Sequence, residues 1–240
     1  MSTLSLRVPL SCSLLVALAP ACAGPTPVPT TTVSGDAFAF NEGTDARVEG
    51  GHVFVLEDPT LDATTDAMGH FVITDVPVGS DATLVLEHAD FVPIQTATHD
   101  VPAAGLERVT FQAVRPSTYA DLAALIGITP DPARCQMVTT VTRIGRSLYD
   151  PGAHGLAGAT VSIDPALPTE SGPIYFDATV FPNRARTETS DDGGVLYVNV
   201  PPGDYVWTAT SPTATFTELR LRCRAGMLVN ASPPWGLQAL

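Results

Sequence analysis

The chain contains no lysine. All twelve basic residues are arginine, set against 25 acidic ones, and the formal net charge is −13. Holding a nucleic-acid backbone needs clustered positive charge, so a nucleic-acid partner is not expected. The missing lysine itself reads as a GC-rich, bacterial coding bias. Past the N-terminus there is no run of 18 or more apolar residues, so no internal segment is built to span a membrane as a helix. Charged residues make up only 15% of the 240 and hydrophobic ones 45%. That is enough apolar material for a core and argues against wholesale disorder. Also missing are a nucleophile elbow, a P-loop, a zinc-protease motif and a dinucleotide fingerprint. The histidines, His52, His70, His88, His99 and His154, show no i, i+2 or i, i+4 ligand spacing. No catalytic residue, metal site or cofactor is therefore assigned, and a non-enzyme is expected.

What is present begins with an address. Residues 1–21 carry one basic residue, Arg7, then an apolar stretch from Ser13 to Ala19 and small residues. This is a secretory signal pattern. Ala21-Cys22-Ala23 suits cleavage before Gly24. Ala19-Pro20-Ala21-Cys22 resembles a lipobox, with cleavage before Cys22 and lipid on its sulfur. The lipid reading is preferred because residues 22–32, rich in Pro and Thr, look like a tether that holds a folded domain off a membrane. An outer-membrane, periplasmic or surface location follows from either reading. Cys12 leaves with the signal, so Cys135 and Cys223 form an even pair in an oxidising compartment and are expected to be bonded.

Beyond the tether, short alternating apolar runs are separated by Gly, Pro and Asp, which signals β-sandwiches. In Phe71-Val72-Ile73, residues 71 and 73 share a face. The pattern occurs twice. Gly51-His52-Val53-Phe54-Val55 corresponds to Gly158-Ala159-Thr160-Val161-Ser162. Gly69-His70-Phe71 corresponds to Gly193-Gly194-Val195, and Val76-Pro77-Val78-Gly79 to Val200-Pro201-Pro202-Gly203. The shared spacing implies two copies of one architecture. In the first copy, Asp66 accepts backbone N–H groups in a tight turn that Gly69 completes.

The elements Val53-Phe54-Val55, Thr64-Thr65-Asp66-Ala67-Met68-Gly69-His70-Phe71, Val76-Pro77-Val78-Gly79 and Asp90-Phe91-Val92-Pro93 resemble the carboxypeptidase regulatory-like, or transthyretin-like, β-sandwich. The second copy is more divergent, with Ser190 in place of the turn aspartate and an insertion from Asp164 to Phe176. The resemblance implies a Greek-key sandwich used as an accessory or binding module. The expected fold is all-β: a sandwich over residues 33–114, a linker with a short helix over 115–134, and a second sandwich over 135–240. Pro116-Ser117 is expected to cap the helix, whose face of Tyr119, Leu122, Ala123 and Ile126 packs on a sandwich.

Charge is uneven, with residues 33–114 holding 14 acidic and 2 basic residues and residues 131–240 holding 10 and 8. Arg220, Arg222 and Arg224 share one strand face by parity. They offer a surface for an anionic glycan or for the acidic first sandwich, or they pair with neighbouring carboxylates. Trp235, in a Pro-rich stretch, either plugs a sandwich end or exposes a binding aromatic. Tyr205 and Trp207 alternate with Val206 and read as core. Asp58, Asp62 and Asp66 crowd one loop, four residues apart, where Ca²⁺ ligands would have to converge; solvated carboxylates with one turn cap are preferred. The expected role is binding, adhesion or structural display at the cell envelope, through a protein or glycan ligand that the sequence does not identify. The alternative is a carbohydrate-binding module.

Overall fold

The structure is a computed structural model that describes residues 27–152 and 154–240. The expected signal segment and Cys22 lie outside the described residues. Within them the regular structure is strand except for one helix, and it is arranged as two sandwiches. The first contains β1 (Thr30–Ala39), β2 (His52–Val55), β3 (Asp58–Thr64), β4 (His70–Pro77), β5 (Asp81–Glu87), β6 (Ile94–Asp100) and β7 (Leu106–Ala113). Its two sheets run β4-β1-β7 and β3-β2-β5-β6. Phe71 and Ile73 point into the core while Val72, between them, is exposed, as the period of two requires.

After α1 (Pro116–Leu125) come β8 (Cys135–Thr142), β9 (Thr160–Asp164), β10 (Ile174–Phe176), β11 (Pro182–Asn183) and β12 (Gly194–Val200). The chain ends with β13 (Gly203–Thr210), β14 (Leu219–Cys223), β15 (Leu228–Ala231) and β16 (Leu237–Gln238). The second sandwich repeats four of the first's pairings. Strand β1 pairs antiparallel with β4 and parallel with β7; β8 pairs antiparallel with β12 and parallel with β15. Strand β5 lies between β2 and β6, and β13 lies between β9 and β14, antiparallel in all four cases.

The repeat extends to single bonds. The Ala37 N–H donates to the Gly69 carbonyl at 2.8 Å, and the Val141 N–H to the Gly193 carbonyl at 2.9 Å. Thr65 Oγ1 accepts the Gly51 N–H at 2.8 Å, and Thr189 Oγ1 accepts the Ala159 N–H at 2.9 Å, which corrects the expected correspondence by one position: Gly158 matches Gly50 and Ala159 matches Gly51. The divergent second half is therefore the same architecture, with β10 and β11 added in the expected insertion and just after it.

Each sandwich has its own core. The first centres on Phe71, Phe111 and Leu84; the second on Trp207, Tyr197 and Leu221. A disulfide joins Cys135 on β8 to Cys223 on β14, tying the two sheets of the second sandwich across 88 positions of sequence. Closing a loop that long stabilises by about 4–5 kcal/mol in the chain-entropy picture.

Three local expectations are corrected. Strand β1 starts at Thr30, so Thr30–Thr32 belong to the sheet and not to the tether, with Thr30 opposite Pro77 and Thr31 opposite Val76. They lie past Pro29, the last donor-less residue, and are β-branched, so nothing prevents pairing. Asp58–Thr64 is an edge strand rather than a loop, because it pairs with β2. Helix α1 has Arg115 as its N-cap with no side-chain bond, and Pro116 occupies the first turn.

The repeat makes a paired prediction. Gly69 and Gly193 both hold positive φ, and a Cβ on either would sit 2.5 Å and 2.3 Å, respectively, from a carbonyl oxygen of the neighbouring strand. Gly79 also has positive φ but faces open space. Gly79→Ala is expected to cost about 1 kcal/mol, and Gly69→Ala and Gly193→Ala each more than about 2 kcal/mol. Urea unfolding of the three variants checks this ordering.

Candidate functional site

Two regions bring polar side chains together: the seam between the sandwiches and a cleft beneath α1. The seam forms on β6. One edge of β6 pairs with β5; the other pairs with the second sandwich. Ile94 and Gln95 lie opposite Leu228 and Val229 of β15, and Thr98 lies opposite Arg220 of β14. Three register pairs are few, and side chains complete the join. The fully buried Gln95 amide donates from Nε2 to the Arg222 carbonyl at 2.6 Å, and its Oε1 accepts from Arg224 Nε at 2.8 Å.

The arginine row meets the acidic first sandwich. Arg220 donates to Asp81 and Asp100, each at 2.8 Å. Arg222 donates to Asp204 at 3.0 Å and lies 3.5 Å from Glu57. Of the readings open to this row, the geometry gives contact with the protein's own carboxylates, four of them and three in the first sandwich. Such part-exposed pairs contribute modestly to stability and mainly fix register. Trp235 packs on the first core, and its indole N–H donates to the Glu107 carbonyl at 2.7 Å. It therefore closes the partner sandwich rather than its own. Tyr149 reaches back from the second half in the same way. Its hydroxyl donates to Asp36 and its ring packs against Phe38. Burial, then the Asp36 carboxylate, push the Tyr149 hydroxyl well above the usual phenol range.

The remaining candidates do not converge. Asp62 is bonded to His52 at 3.0 Å, and Asp66 caps the Met68 and His70 N–H groups, which hold its carboxyl below the ordinary value. Asp58 takes up Thr60. Among the described residues no group of three or more His, Cys, Asp or Glu side chains is placed to hold a metal ion.

The cleft was not legible as a motif. Helix α1 lies over the outer face of the β12-β8-β15 sheet and leaves a cavity of about 140 Å³. Tyr119, Leu122, Ala123 and Ile126, the predicted apolar helix face, form its roof, and Val138, Leu196 and Val198 part of its floor. Asp192 and His154 line its polar end. Burial raises the Asp192 carboxyl and lowers the His154 imidazole, so both are shifted toward their neutral forms.

No protein-family profile and no curated protein sequence matches the chain. Among the solved structures that resemble the chain, three illustrate how distant the likeness is. The Bacillus anthracis TIE protein aligns at 10% identity and a TM-score of 0.29, over 83% of this chain and 32% of its own. The chain thus spans about a third of that protein's length. The minor pilin GBS52 of Streptococcus agalactiae aligns at 11% identity and a TM-score of 0.28, over 87% and 94%. A variant of the shaft pilin spaA from Lactobacillus rhamnosus GG aligns at 11% and 0.24, over 87% and 100%. Nothing about function is carried over from them.

The seam has a pH dependence of its own. The ring of His99, on β6, lies 5.5 Å from that of Trp235. The residue as a whole is part-buried, yet Nε2 is sealed off and has no partner among the described residues. Burial lowers its pKa from 6.5 to about 4, with Arg220 contributing. The unfolded chain therefore takes this proton near pH 6.5 and the folded one only near pH 4. The neutral ring's contribution is full above about pH 6.5 and falls away towards pH 4, by about 3 kcal/mol in all. His99→Phe is expected to remove that part of the loss between pH 7 and pH 4 in urea unfolding. Equal losses in both proteins would contradict it.

Proposed function

We propose that the protein is a non-catalytic component of the bacterial cell envelope, exported by residues 1–21 and held at a membrane by lipid on Cys22. The observation that carries export is the Cys135–Cys223 disulfide, since such bonds form and persist in oxidising compartments. The Pro-rich segment that ends at Pro29 leaves only a short spacer between Cys22 and β1. The body it carries has two sandwiches, with a shared sheet seam and a staple in the second. A body of that kind suits structural display or adhesion, where a fixed relation between domains matters more than a moving active site.

The carboxypeptidase regulatory-like assignment of the first sandwich belongs to the same proposal. It rests on the Asp66–Gly69 turn and the Val76–Gly79 strand end. Glycan binding is the weaker reading. Sugar platforms use exposed aromatic rings, whereas Trp207 is fully buried and Trp235 is engaged with Glu107.

Intact mass of the protein recovered from its native membrane fraction tests the proposal. A chain starting at Cys22 with a diacylglycerol and acyl increment, gaining two hydrogens on reduction, is expected. A soluble chain starting at Gly24 overturns the anchor. A cytoplasmic chain with free thiols overturns export.

A further inference from the structure

The two repeats differ where the cleft forms. Aligned on Gly69 and Gly193, the first sandwich has Met68 and His70 where the second has Asp192 and Gly194. Met68 and His70 are both exposed, and no helix among the described residues covers them. In the second sandwich the same face is roofed by α1, and a carboxylate and a glycine stand at the wall of the cavity. The glycine makes room for the carboxylate: a Cβ at Gly194 would lie 2.5 Å from Asp192 Oδ2 and 2.8 Å from the Phe176 ring.

Asp192 Oδ2 accepts the Gly194 N–H at 3.0 Å, and no hydrogen bond among the described residues reaches Oδ1. Nearby, Gly155 packs on the Asp192–Gly193 backbone and brings His154 to the same end. The Nδ1 of His154 has no partner among the described residues and is closed to solvent, so it offers the cavity no hydrogen-bonding group. The neighbouring guanidiniums are already engaged. Arg143 holds Asp191 at 2.7 Å, and Arg146 donates to the Pro151 carbonyl. The polar end of this apolar cavity thus presents a carboxylate with one oxygen that no donor among the described residues takes up. A ligand carrying N–H donors and positive charge makes a charge-assisted hydrogen bond there.

We infer that the cleft beneath α1 binds a small organic cation, an apolar ring or branched chain bearing one ammonium group. The apolar part lies between Leu122, Ile126 and Val198, and the ammonium donates to Asp192. Size sets the class. A cavity of about 140 Å³ matches one that takes a benzene-sized molecule and excludes an oligosaccharide. Burial raises the Asp192 carboxyl, so a bound cation also favours its ionised form. This inference goes beyond the envelope role and does not depend on lipid at Cys22.

The test uses benzylamine, its neutral near-isostere benzyl alcohol, and toluene, each titrated into the disulfide-bonded protein and followed by NMR. Benzylamine is expected to bind with a Kd on the order of 1 mM and at least about tenfold more tightly than benzyl alcohol. Shifts should centre on Leu122, Leu196 and Gly194. Asp192→Asn should remove the preference while benzyl alcohol binding persists, and Leu122→Trp should block all three. If either variant fails to fold, the ligand ranking and the location of the shifts in the unmodified protein decide alone. Equal affinity for amine and alcohol, shifts away from the cleft, or no binding of any probe overturns the inference, and none of these outcomes bears on the membrane anchor.

Discussion

The outer edge of β6 is the constraint on which the arrangement of the molecule depends. In an isolated first sandwich that edge would present unpaired N–H and C=O groups to water, a template for aggregation. Here β14 and β15 of the second sandwich cover it. The consequence spreads through both faces of β5 and β6. Leu84 and Leu86 face the first core, but Thr83, Val85, Gln95 and Ala97 are also buried. Ala97 belongs to the second core. Polar side chains on a strand shared in this way need partners within the protein, and Gln95 accordingly has both ends of its amide bonded across the seam.

Charge and shape act together on that join. The first half is strongly acidic, and the second half meets it with Arg220 and Arg222. Their carboxylate partners are part-exposed, so the pairs select an orientation more than they supply stability. Apolar contact contributes more: Leu228 enters the first core, and Trp235 packs against it. Helix α1, between the sandwiches in sequence, covers the second sheet and completes the cleft.

Much of the architecture was legible in the residues. The period-two faces of β4 and β14 and the positive-φ glycines follow from local rules that act within a few positions, while the cysteine pair, 88 positions apart, followed from an even count in an oxidising compartment. The repeat, too, was readable from glycine and proline spacing. What was not legible was set by partners distant in sequence. Asp58–Thr64 looks like a loop because an edge strand need not be hydrophobic, and only its pairing with β2 makes it a strand. The arginine row was visible by parity, but the partners of Arg220 lie 139 and 120 positions away. The place of Trp235 depends on Glu107, 128 positions away. The cleft had one trace: Gly194 aligned with His70. It gained meaning only once α1 was seen to roof that face.

The central claim is that the two sandwiches fold as one unit because they share β6. Scanning calorimetry of the disulfide-bonded protein tests it most directly. One transition, with calorimetric and van't Hoff enthalpies equal, is the predicted result. Two separable transitions, one for each sandwich, would contradict it.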